Sequence, residues 1–117
     1  MPKEIPQCVF ESEVSLLALA FHGRDGHIHG FPYGHLLHFL HETNPDAEHQ
    51  PNASAERFLF SFSTHDVILL GWQMKPPVPL LTAGRLASVH AVEARYYGLT
   101  RERPFVSEIT VEEPPRK

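Results

Sequence analysis

Histidine is the residue type with the most chemical potential in this chain. Nine imidazoles stand at His22, His27, His29, His35, His38, His41, His49, His65 and His90, and seven of them fall between positions 22 and 49. A neutral imidazole is a ligand for Zn, Ni, Cu or Fe, and its ordinary pKa near 6.5 lets it change charge in mildly acidic solution. His27 and His29 are two apart, so on a strand both rings point to one side. His35, His38 and His41 are three apart, so neighbours approach each other on a helix, while the outer pair diverges by roughly 120°. The metal set this spacing supports is therefore His27 and His29 with one or two of His35, His38 and His41. Glu42 or Asp46 would complete it around a divalent transition metal such as Zn or Ni.

The same rings also read without a metal. His35, His38 and His41 interrupt Leu36, Leu37, Phe39 and Leu40, the pattern of a wet face on an amphipathic element. His41-Glu42 opens like a zinc-protease motif, but Pro45 stands where the second histidine is needed. Were all nine rings protonated with the carboxylates still charged, the net charge would move from −4 to +5.

Other catalytic arrangements fail on inspection. The glycines at 23, 26, 30 and 34 fit no dinucleotide fingerprint, and there is neither a phosphate loop nor a Gly-x-Ser-x-Gly elbow. His65-Asp66 reads as a turn doublet. Cys8 is the single cysteine, which excludes a disulfide framework and suits a reducing compartment. Trp72, beside Gly71, suggests a third use, a small-molecule site on one sheet face.

These side chains need elements to hold them. Residues 1–10 carry two prolines and no period, and read as a loose arm from which Val9 and Phe10 dock. Glu13 to His22 reads as a buried strand, Asp25-Gly26 as a hairpin turn, and His27 to Phe31 as the returning strand. Residues 34–42 are expected to form a short helix, although the same letters suit a strand. Asn44-Pro45 ends that element, and 43–55 is a long polar loop. Arg57 to Ser63 alternates strictly, with Phe58, Phe60 and Phe62 on one face, and Val67 to Met74 returns beside it. A proline-rich connector follows. Leu80 to Ala94 then reads as one interrupted helix, or as a short helix and a strand through Ser88–Val92. Phe105 to Glu112 alternates again, before a charged tail over 113–117.

The expectation is an α+β fold with residues 11–112 as one domain, built on a mainly antiparallel sheet of about five strands with one or two short helices. The 117 residues suit one domain, and 42% hydrophobic content argues against wholesale disorder. The N-terminal half is acidic and the C-terminal half near neutral. Arg95, Arg101 and Arg103 beside Tyr96 and Tyr97 are too few for a phosphate-binding stripe, so nucleic acid is not an expected partner. No apolar run reaches the roughly 18–20 residues of a spanning helix, and Glu4, Glu11 and Glu13 precede Val14–Phe21 where a signal peptide needs basic residues. The expected setting is cytoplasmic. With no catalytic set and an apolar content high for its size, the leading expectation is a non-catalytic protein that binds a partner or forms a homo-oligomer through an apolar sheet. A metal-binding protein or small metalloenzyme using the 27–41 histidines is the alternative.

Overall fold

The side chains alternate between inward and outward along most of the chain, and the backbone follows. In the computed structural model, residues 7–50, 53–99 and 103–113 are described, so the first part of the N-terminal arm, Arg101 and the end of the tail lie outside them. Eight strands form: β1 (Val9–Glu11), β2 (Ala18–His22), β3 (Ile28–Pro32), β4 (Leu36–Thr43), β5 (Glu56–Phe62), β6 (Asp66–Trp72), β7 (Leu86–His90) and β8 (Phe105–Glu112). Among the described residues one short helix, α1 (Val78–Thr82), and three 3-10 turns connect them.

The strands make two four-stranded sheets, ordered β1-β7-β2-β3 and β4-β5-β6-β8. The second is an antiparallel meander, with β8 added beside β6. In the first, β7 returns from the other sheet to lie between β1 and β2, antiparallel to one and parallel to the other. Strand far outweighs helix, so the expected α+β sheet of five strands is corrected to a mostly β domain with two sheets.

Aromatic side chains join the sheets. Phe58, Phe60 and Phe62 face inward from β5 as the alternation predicts, and each is almost fully buried. Phe60 meets Phe21 of β2 edge-on at 5.2 Å, and Phe62 stacks on Phe31 of β3 at 4.3 Å. Leu19, Val67, Leu69, Leu86, Val89, Phe105 and Val106 belong to the same core, as do Cys8, Met74 and Leu81. Each large side chain removed from water contributes about 1.5–3 kcal/mol before entropy is counted.

Several strands depart from the sequence reading, and the expected buried strand Glu13–His22 begins only at Ala18, with Val14 and Leu17 exposed in the connection before it. The expected helix over 34–42 is a 3-10 turn (Tyr33–His35) followed by β4. Pairing with β5 decides the matter: Phe39 lies opposite Phe60 and His41 opposite Phe58, a long-range gain no local period encodes. The far end of the expected arm enters the fold, with Cys8 buried and Val9–Glu11 as β1. Beyond α1, Gly84 takes a left-handed φ of 67° and separates the helix from β7, so the broken reading of 80–94 is the one that forms. Gly71 is demanded by packing, since a Cβ there would lie 1.9 Å from the Phe105 carbonyl oxygen across the β6–β8 ladder.

Candidate functional site

The five histidines singled out by spacing do not converge. His27 precedes β3 and His29 lies within it, with rings 6.4 Å apart and nearly perpendicular, and His27 pairs instead with Asp25 at 3.1 Å. His35 ends the 3-10 turn. On β4 the three-residue spacing sends His38 and His41 to opposite faces, because a strand alternates with period two. Among the described residues no group of three or more His, Cys, Asp or Glu side chains is placed to hold a metal ion.

His41 belongs to a polar knot instead. Its Nε2–H donates to Glu56 Oε1 at 2.5 Å, and the same carboxylate accepts the backbone N–H groups of Gln73 at 2.6 Å and Met74 at 3.0 Å. Partial burial works to raise the Glu56 pKa, but the His41 bond and the two amides together outweigh it and leave the carboxyl below its ordinary value. Gln73 carries a left-handed φ of 55°, unusual for a residue with a side chain, so the carboxylate pins the strained turn that leaves β6. Among the described residues no hydroxyl or thiol is bonded to His41.

Two clefts of about 330 Å³ open elsewhere. One lies beside β1 against Pro76, Pro77 and Pro79, with Glu11 and Arg103 at its rim. Cys8 also borders it, but the thiol is buried and donates to the Val106 carbonyl. The other is polar and has Ser54 and Ser107 among its walls. Those hydroxyls bond each other at 2.7 Å, Ser107 also donates to the Leu70 carbonyl, and no histidine is among the described residues that line the cleft. Trp72 stacks on Tyr97 at 4.2 Å, so its face is occupied from within the chain.

The unusual surface is the outer face of the β1-β7-β2-β3 sheet. Residues directly opposite each other in a ladder share a face. Leu19 opposite Phe31 and Phe21 opposite Val89 define the inner face. The outer face then carries Phe10 on β1, Ser88 and His90 on β7, Ala18, Ala20 and His22 on β2, and Ile28, Gly30 and Pro32 on β3. None of the nine is Asp, Glu, Lys or Arg. None is fully buried, and Phe10 and Ile28 remain 38% and 64% exposed. Val14 and Leu17, 66% and 91% exposed, lie in the β1–β2 connection at the end of the same sheet.

His22 and His90 face each other in register across β2 and β7, with rings stacked at 3.9 Å and 16°. Phe10 approaches His90 edge-on at 4.9 Å, and Ser88 Oγ bonds its Nε2 at 3.1 Å. Burial first, then the charge of His22, lowers the His90 pKa. Parallel stacked rings direct their in-plane lone pairs side by side, so they do not converge on one ion. Sequence reasoning missed this pair, because positions 22 and 90 become neighbours only through the parallel β2–β7 pairing. Compared with protein-family models, with curated proteins and with solved structures, the chain matches none.

Proposed function

We propose that this chain is a non-catalytic binding protein that self-associates through the outer face of its β1-β7-β2-β3 sheet. The observation that carries the reading is the absence of any formally charged side chain at the nine outward positions of that face. A sheet with one solvated face normally alternates apolar-in and polar-out, with charges on the wet side. Here small residues fill the centre: Ala20 lies between Ser88 and Gly30, and a Cβ added at Gly30 would meet nothing within 4 Å. A flat, small-residue surface lets another sheet approach to the usual spacing of about 10 Å.

A second copy is the occupant this face suits best. The chain carries a net charge of −4, so two copies repel unless they meet where neither bears charge. A twofold contact sets a patch against itself, and an uncharged patch meets itself without like-charge conflict. Phe10 and Ile28, on the two edge strands, become the natural anchors.

Sedimentation equilibrium at high micromolar concentration and neutral pH tests the reading, and a dimer mass is expected. Ala20→Glu sets an unpaired carboxylate at the centre of the contact, and burying one costs several kcal/mol, so dimerisation weakens by roughly 100-fold or more. Leu40→Lys on the free edge strand β4 leaves the mass unchanged. A wild-type monomer throughout, or a dimer disrupted by the β4 change and not by Ala20→Glu, overturns the assignment.

A further inference from the structure

Among the nine described outward positions of this face two carry titratable side chains, His22 and His90, and their rings stack on each other. We propose that protonation of the stacked His22–His90 pair releases the sheet-to-sheet contact, so that self-association is switched off in mildly acidic solution. This rests on the self-association reading above and adds its regulation.

The geometry gives the pair no way to carry charge inside the contact. From β1 the ring edge of Phe10 faces His90, and from β3 Ile28 lies opposite His22. On β7 itself the neighbour is the Ser88 hydroxyl. None of these is a carboxylate. Of the acidic groups nearby, Asp25 pairs with His27 and Glu93 with Arg95, while Glu11, exposed on β1, lies opposite Leu86, beyond the Phe10–Ser88 pair from His90. Arg24, in the turn after His22, is exposed and adds only further positive charge. A proton on either ring therefore places an uncompensated cation on an apolar face. A second proton would set two cations at the 3.9 Å stacking distance. In the separated copies water solvates that charge, and in the dimer a facing sheet excludes the water. The free copies thus hold more protons than the dimer, and association must weaken as pH falls.

Where one imidazole per copy gains a proton on separation, two protons are taken up per dimer, and the dissociation constant rises by at most roughly 100-fold for each unit that pH falls. Burial first, then the charge of His22, lowers the His90 pKa, which moves this response toward the acid side and makes it smaller. The sequence isoelectric point is about 6.1, so the chain is net negative at pH 7.5 and net positive at 5.5, and general charge repulsion acts at both; a variant lacking only these two rings separates it from their effect.

The experiment is sedimentation equilibrium of the full chain at pH 7.5 and 5.5, for wild type and for His22→Gln/His90→Gln, with circular dichroism to confirm the fold. The expected result is a wild-type dimer that weakens at least about 10-fold at the lower pH, and a double variant that dimerises at both with less than about a threefold change. A wild-type dimer with the same dissociation constant at both pH values, or a double variant that keeps the full pH response, overturns the switch and leaves the self-association reading standing. A wild type monomeric at both pH values overturns both.

Discussion

Replacing Glu56 by Gln isolates one anion from the shape of its side chain. The carboxylate accepts three hydrogen bonds, from His41 and Met74 on Oε1 and from Gln73 on Oε2. A glutamine has one acceptor oxygen, so if it keeps the first two partners its NH2 group points at the Gln73 N–H and that bond is lost. A charge-assisted hydrogen bond contributes about 1.5–3 kcal/mol, and the pair is only about one-quarter exposed, at 26% for His41 and 23% for Glu56. The expected loss at neutral pH is about 2 kcal/mol, or roughly 6–10 °C in melting temperature for a chain of this size. The pH dependence has a fixed sign. Glu56 has a folded pKa below its unfolded one, so its contribution is full above the unfolded value and disappears as pH falls through the folded value. Urea denaturation of wild type and Glu56→Gln from pH 7 down into the acid range should show two stabilities that differ at neutrality and converge below the ordinary carboxyl range. A gap under about 0.5 kcal/mol at pH 7, or a gap that persists unchanged into acid, would refute the assignment of this carboxylate as the pin of the Gln73 turn.

Two further outcomes follow from packing. Gly71→Ala drives a methyl group into the backbone of β8, 1.9 Å from the Phe105 oxygen and 2.9 Å from its carbonyl carbon, and no side-chain rotation relieves it. The cost should be about 3 kcal/mol or more, with melting lowered by roughly 10 °C, and a variant melting within a few degrees of wild type would contradict the register. Cys8 is 1% exposed, and burial raises its pKa despite the opposing effects of the Val106 carbonyl contact and Arg103. A disulfide reagent at neutral pH should therefore label it roughly 100-fold more slowly in the native chain than in denaturant, and rapid stoichiometric labelling of the native protein would show the arm open.

What could be read from the sequence was whatever a single strand declares alone. Phe58, Phe60 and Phe62 alternate so strictly that β5 and its partner β6 were legible, and Asp25-Gly26 marked the β2–β3 hairpin at its turn. Phe105–Glu112 was legible in its bounds, although the irregular register at Leu70/Gly71 buries Phe105, Val106 and Ser107 in succession where alternation expects every second residue. β4 was hidden because Leu36, Leu37, Phe39 and Leu40 satisfy a helical stripe and a strand equally well. Only the opposing β5 breaks that tie. β1 is three residues long and carries no period at all.

The histidines illustrate the same limit at the level of chemistry. Spacing along the chain drew His27, His29, His35, His38 and His41 together, and all five assignments depended on which element carried them. Once residues 36–43 are a strand, His38 turns outward and His41 turns toward Phe58, and the cluster separates. The pair that does meet, His22 and His90, is 68 positions apart and lies side by side because β7 inserts between β1 and β2. The charge-free face arises in the same way. Residues 14–23, 26–41 and 86–92 each lack a formally charged side chain, but every such run mixes inward and outward positions, so none of them declares a shared face. The charges occupy turns and strand ends, while register gathers Phe10, Ala20, His22, Ile28, Gly30, Ser88 and His90 onto one surface. A surface drawn from four separated segments leaves no local signature, and its proposed role follows from the ladder that assembles it.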